Sequence, residues 1–290
     1  MKSGFVSIVG RPNSGKSTLL NHLVGDKISI VTDKPQTTRN VIRGIVTSPD
    51  GQVVFLDTPG IHKPIHKMNE RMMKFVRESM GEVDLIMLIV DATEPFGRGD
   101  EFTLELIKPV AAPKILLLNK IDQLQKKNLL PIIDRYSKLA EFKDVIPISA
   151  LTGENTELLT QTVFKYLSEG PMYYPEDQIS DQPARAISAE IVREKLILLT
   201  REELPYSTAV VIDRFEEQEK IDRIYATIFV ERESQKGMII GKGGSLLKQV
   251  GSEARRELEA FFERKIYLEL HVKVKKDWRD DEATLRHIGF

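Results

Sequence analysis

Gly10-Arg11-Pro12-Asn13-Ser14-Gly15-Lys16-Ser17 fits G-x-x-x-x-G-K-[ST] at every fixed position. An apolar run at residues 5–9 reads as a strand just before it, and a helical pattern opens near Lys16. Strand, loop and helix in that order are the setting the motif needs. The glycines let the main chain wrap a phosphate chain and turn its N–H groups inward, and the helix start adds partial positive charge. Lys16 then reaches the β- and γ-phosphates, and Ser17 offers a hydroxyl to Mg2+. Every residue of the loop, with Thr18 after it, is a candidate nucleotide contact.

Asp57-Thr58-Pro59-Gly60 ends the next buried strand, residues 53–56. A carboxylate there can hold Mg2+ through water as the acidic partner of the loop. Gly60 can bring its N–H to the γ-phosphate with no side chain in the way. Asn119-Lys120-Ile121-Asp122 follows the strand at 114–118. The Asp122 carboxylate can accept two hydrogen bonds from the N1–H and exocyclic amine of guanine. Adenine offers neither donor there, so a site built this way discriminates strongly. Asn119 can brace the loops and the Lys120 stem can cover the base. Ser149-Ala150-Leu151, after the strand at 145–148, would present backbone N–H to the guanine oxygen. These motifs, in this order, imply a guanine-nucleotide site.

The remaining sequence sets that site in a larger frame. A chain of 290 residues is long enough for two domains. With 41% hydrophobic and 29% charged residues, both can hold real cores. No apolar run approaches the roughly 20 residues of a membrane span, and the N-terminus enters a strand pattern at once, so no apolar leader is expected. The absence of cysteine excludes disulfides, thiolate metal sites and cysteine nucleophiles. Strands at 5–9, 53–56, 84–90, 114–118 and 145–148 alternate with helical stretches such as 70–80, 101–108, 129–139 and 157–167. That alternation predicts an α/β fold with a mainly parallel, doubly wound sheet. Ligands on such sheets bind at the carboxyl ends of the strands, where all the motifs sit.

Residues 171–184, rich in Pro, Asp, Gln and Ser, read as a linker between a nucleotide-binding domain at 1–170 and an α+β domain at 185–290. The second domain reads as helix 186–199, strands 208–215 and 221–231, a helix–turn–helix with 241–244 at its turn, strand 265–274 and a short helix from Asp280. Gly237-Met238-Ile239-Ile240-Gly241-Lys242-Gly243-Gly244 resembles the I-I-G-x-x-G signature of KH domains. A glycine-framed turn between helices lets two backbones approach, and KH domains clamp about four nucleotides this way. Ile239 and Ile240 can line the adjacent apolar groove, while Lys242 and Lys248 can meet phosphate. The net charge of the chain is −1, but residues 236–276 hold ten Lys and Arg against five Glu, a net of +5. The element order matches the type II KH fold. Trp278, the single tryptophan, reads as a packing residue.

Pro35-Gln36-Thr37-Thr38-Arg39 lies where translation-factor-related GTPases keep their first switch, and the quintet resembles that of the Era-like GTPases. With the other motifs the resemblance covers nearly the whole chain. It implies GTP hydrolysis, with Lys16, Thr38, Gly60 and Asn13 as the catalytic group. It implies Mg2+ held by Ser17, Asp57 and Thr38, with Thr37 as second choice for the last. An asparagine at the place of Asn13 binds K+ in some related GTPases, which makes K+ a second candidate cofactor. Many small GTPases orient the attacking water with a Gln after the D-x-x-G glycine. Ile61 stands there and cannot, so intrinsic turnover near the roughly 10⁻⁴–10⁻² s⁻¹ of unassisted GTPases is expected. The resemblance further implies a monomer in the cytoplasm that binds the 3′ end of small-subunit (16S) ribosomal RNA and assists maturation of the 30S subunit. Peripheral contact with the inner face of the membrane stays open. So do two alternatives: an RNA-binding module with nucleotide as a fixed ligand, and a related tRNA-modifying or membrane-regulating GTPase.

Overall fold

Strand β1 (Lys2–Val9) is the centre of a six-stranded sheet in the order β2-β3-β1-β4-β5-β6. The computed structural model describes residues 1–201 and 204–290. From β1 onward the elements up to Tyr166 are α1 (Lys16–Val24), β2 (Ile42–Ser48), β3 (Gly51–Asp57), α2 (Lys67–Glu78), β4 (Leu85–Asp91), α3 (Arg98–Ile107), β5 (Lys114–Asn119), α4 (Leu129–Leu139), β6 (Asp144–Pro147) and α5 (Thr156–Tyr166). All neighbouring strands run parallel except β2, which is antiparallel to β3.

The continuous apolar strands have a direct cause. Leu85, Met87 and Ile89 of β4 enter one core with Ile115 and Leu117 of β5. Ile86, Leu88 and Val90 enter a second core with Leu116 and Leu118. Successive side chains point to opposite faces, and both faces are covered by helices, so neither set is polar.

Strand β2 is not legible in the sequence because Arg43 and Gly44 interrupt its pattern. A Cβ on Gly44 would lie 2.5 Å from Leu20 Cδ1 and 2.8 Å from Val24 Cγ2, so side chains of α1 fill the space above it. The outer edge of β2 is covered by residues 179–180: Ile45 N–H donates to Ile179 O (2.9 Å) and Ser180 Oγ to Arg43 O (2.8 Å). Such cover removes an open edge. Gln52, fully buried, accepts from Tyr173 N (2.8 Å) and Tyr174 N (3.0 Å) and donates to Tyr174 O (2.9 Å). Much of the segment that reads as a linker is therefore fastened to this sheet.

By contacts the chain divides into Met1–Pro64 with Arg71–Asp181, and Ile65–Glu70 with Gln182–Phe290. The second unit contains α6 (Ala184–Leu199), α7 (Leu204–Ser207), β7 (Ala209–Glu216), β8 (Asp222–Val230), α8 (Glu233–Ile240), α9 (Ser245–Phe262), β9 (Ile266–Val274) and α10 (Glu282–His287). Its sheet order is β7-β8-β9, with β7 antiparallel and β9 parallel to β8. Inward residues of β8 and of α6 and α9 share one core. Trp278 is fully buried and donates Nε1–H to Ser207 O at 2.9 Å. The last helix begins at Glu282, later than the sequence suggests. Trp278–Asp280 form a short 3₁₀ turn, and the Asp281 side chain caps α10 by accepting from Thr284 N at 3.0 Å. Among the described residues no helix is long and apolar enough to cross a membrane.

Candidate functional site

The loop from Gly10 to Lys16 joins the carboxyl end of β1 to α1. Gly15 has φ +99°, and a Cβ there would lie 2.1 Å from Asn119 Nδ2. That closeness is used: Asn119 Nδ2 donates to Ser14 O (2.8 Å), and Asn119 Oδ1 accepts from Ala150 N (2.9 Å). One buried amide at the end of β5 thus ties together three motifs far apart in sequence. Asn13, at φ +62°, donates from Nδ2 to Asp33 O at 2.8 Å.

Lys16 is buried, and its Nζ donates to Arg11 O at 2.8 Å. Burial pushes its ammonium down to about 8, opposed by attraction to Asp57. Asp57, at the end of β3, is fully buried. Burial pushes its carboxyl up, while Lys16 and the hydroxyls of Ser17, Ser29 and Thr38 pull it back. Asp57 Oδ2 accepts from Ser17 Oγ (2.6 Å), Ser29 Oγ (3.0 Å) and Thr38 Oγ1 (3.5 Å), and the Ser17 and Thr38 oxygens lie 2.9 Å apart. Asp57 Oδ1 is buried with no hydrogen-bond partner. Two hydroxyls beside a carboxylate, one of whose oxygens is unpaired, make an all-oxygen donor set that suits Mg2+ completed by phosphate and water. Thr37 is turned elsewhere, donating to Lys34 O at 2.7 Å.

Gly60 passes the loop so closely that a Cβ would lie 2.8 Å from Pro12 Cα. Thr58, also buried, donates to Ile8 O at 2.8 Å and so braces β1. Ile61 belongs to the core and donates its N–H to Gly10 O at 3.0 Å. The position that carries a water-orienting Gln in other GTPases therefore points inward here. Lys120 pairs with Asp91 at 2.5 Å, while Asp122 sits exposed on a 3₁₀ turn. Of the Ser149–Leu151 N–H groups, that of Ser149 is engaged by Glu154 O and that of Ala150 by Asn119. Leu151 is 73% exposed. Asn13, Lys16, Ser17, Thr38, Gly60 and Lys120 are among the residues lining a cleft of about 360 Å³.

Two participants carry no motif signal. Asp100 is buried and pairs with Arg11 of the loop at 2.9 Å, and it also accepts from Gly97 N and Tyr136 Oη. Ser29 donates to Asp57 from between Ile28 and Ile30, where a lone serine gives no cue.

In the second unit, Gly241, Gly243 and Gly244 all have positive φ, at 73°, 62° and 79°, conformations that favour glycine. Lys242 and Lys248 are exposed. Ile240 is half-buried, but Ile239 is fully buried in the core, so it supports the turn from beneath instead of lining a groove. The exposed apolar neighbour is Met238, at 52%. The reversal follows from the period of α8: adjacent residues face about 100° apart, so the two isoleucines cannot both face out with Met238.

These sites define the class: a P-loop GTPase followed by a KH domain. The family of 50S ribosome-binding GTPases matches residues 5–120, and the KH domain family matches residues 203–279. Era in complex with MgGDPNP and nucleotides 1506–1542 of 16S ribosomal RNA is 45% identical, with a TM-score of 0.96 over 100% of this chain and 99% of that one. An Aquifex aeolicus Era variant bound to GDP·AlF4− gives the same identity, TM-score and coverage. The chain belongs to the Era family and is a GTP-hydrolysing enzyme.

Asp122→Asn is expected to lower GDP affinity about 10²–10⁴-fold, because two hydrogen bonds to a charged acceptor are at stake. It should also gain affinity for xanthosine diphosphate, whose C2 carbonyl suits an amide donor. Titration with fluorescent guanosine and xanthosine nucleotides measures both changes.

Proposed function

We propose that this protein is a GTP-driven switch that binds the 3′ region of small-subunit ribosomal RNA through the turn at 241–244 and assists assembly of the 30S subunit. One observation carries this: end-to-end likeness to Era solved with a GTP analogue and that RNA, at 45% identity over 100% of the chain. The working boundaries are a GTPase domain at 1–170, a connecting segment at 171–184 and an RNA-binding domain at 185–290. The protein works in the cytoplasm as a monomer and meets the membrane at most peripherally.

At the nucleotide, the backbone of residues 10–18 cradles the phosphates and Lys16 neutralises charge between the β- and γ-groups. Ser17, Asp57 and Thr38 would hold Mg2+, which would supply positive charge against the phosphate oxygens. Gly60 brings its N–H to the γ-phosphate, and Asn119, Lys120, Asp122 and the 149–151 loop select guanine. Thr38 and Gly60 follow the γ-phosphate, so its loss frees both segments. Ile61 leaves the water without a side-chain orienter, so turnover is slow until RNA or the ribosomal particle intervenes. A K+ ion at Asn13 would add the charge that an arginine finger supplies elsewhere. Exchange of K+ for Na+ then slows turnover, and equal rates in the two salts, with and without RNA, remove K+ from the account.

Crosslinking followed by sequencing of bound RNA, with GTP analogue and with GDP, tests the assignment. Enrichment of the 16S 3′ region that depends on nucleotide is the expected result. Equal enrichment in both states favours an RNA-binding module with nucleotide as a fixed ligand, and tRNA enrichment contradicts the assignment.

A further inference from the structure

The Asp57 carboxylate is held by two kinds of group. Ser17 and Thr38 donate to it, but both also belong to the Mg2+ donor set described above. Ser29 donates to the same Oδ2 at 3.0 Å and is 1% exposed. Its own backbone is locked on both sides by one side chain: Ser29 N donates to Asn21 Oδ1 (2.9 Å), and Asn21 Nδ2 donates to Ser29 O (2.7 Å). Ile28 N donates to the same Asn21 oxygen at 3.0 Å. Ile28 and Ile30 on either side are buried at 7% and 3% exposure, so the hydroxyl has little freedom to swing away.

Asn21 lies one turn after Ser17 on α1, on the same helix face. Helix α1 therefore reaches Asp57 twice, directly through Ser17 and indirectly through Asn21 and Ser29. A carboxylate turns readily about its last torsion, which has broad minima. A fixed donor outside the ion's own ligands removes that freedom whether or not Thr38 is in place.

Resting on the guanine-nucleotide and Mg2+ assignment above, we infer that Ser29 is a positioning residue for the Mg2+ site, holding Asp57 in one orientation through both nucleotide states. Loss of outer hydrogen bonds to metal ligands typically weakens metal affinity about 10–100-fold. That range sets the expectation here.

The test is release of fluorescent GDP from the full chain across a Mg2+ titration, with an EDTA arm. Ser29→Ala raises the Mg2+ concentration that half-maximally slows release by about 10–100-fold, with the EDTA rate unchanged. Asn21→Ala moves the midpoint in the same direction, and Ser29→Thr, which keeps the hydroxyl, restores it at least in part. An unshifted midpoint in Ser29→Ala overturns the inference. So does an EDTA rate raised by the same factor as the rate in Mg2+, because Ser29 would then support the pocket and not the ion. Wild-type release indifferent to Mg2+ overturns the inference together with the Mg2+ assignment, whereas a normal wild-type titration with an unshifted variant removes the Ser29 role alone.

Discussion

Replacing Lys16 with alanine abolishes high-affinity nucleotide binding and lowers turnover by about 10²–10³-fold or more, the scale on which a preorganised donor to transition-state charge acts. The lysine is almost fully enclosed, 5% exposed, and burial alone pushes its ammonium down. The fold tolerates this desolvation because Arg11 O and the nearby Asp57 carboxylate compensate part of it. A triphosphate would compensate the rest. Removing the side chain deletes the donor to the β- and γ-phosphates and strips buried Asp57 of its counter-charge. The sheet and both cores of the first unit are made by other residues, so far-ultraviolet circular dichroism should be unchanged. Isothermal titration with GDP and a single-turnover assay measure the effect. Near wild-type hydrolysis by this variant would remove Lys16 from the centre of the site.

Replacing Gly243 with aspartate is expected to lower RNA affinity about 10–100-fold, placing a negative charge where phosphates approach. Basal GTP hydrolysis should stay within about twofold, since the residues lining the nucleotide cleft belong to the first unit and this turn belongs to the second. The expectation rests on two structural facts. Among the described residues, no atom beyond Gly243 itself and its two chain neighbours lies within 4 Å of a Cβ built on it, and its φ is +62°, a conformation that aspartate visits more readily than most residues. The change should therefore spare the second unit's core. Fluorescence anisotropy with a short RNA of the 16S 3′ region reads the first quantity, and phosphate release reads the second. Loss of both together would mean that the turn and the nucleotide site are not separate functions.

The nucleotide site was the most legible part of the sequence because its chemistry is local. Each motif supplies adjacent residues at one strand end, and the parallel sheet brings those ends together. What could not be read was tertiary. Strand β2 depends on Gly44 fitting against Leu20, Val24 and Ile28 of distant segments. The fastening of residues 173–174 depends on one buried glutamine, Gln52, which in sequence is just a polar residue in a strand. Ser29 and Asp100 act through partners dozens of residues away. The inward turn of Ile239 could have been anticipated from helical periodicity, had the signature not suggested that both isoleucines face the groove.

The central claim is that guanine nucleotide and RNA act on one switch. The most direct measurement is the dissociation constant of the full chain for a 16S 3′-end RNA, taken with Mg2+ and a non-hydrolysable GTP analogue and again with GDP, at one fixed salt concentration. A coupling of 1–3 kcal/mol corresponds to roughly 5–150-fold between the two states, and the account predicts a difference in that range, with RNA tightening analogue binding by the same factor. Equal constants in the two states would contradict it.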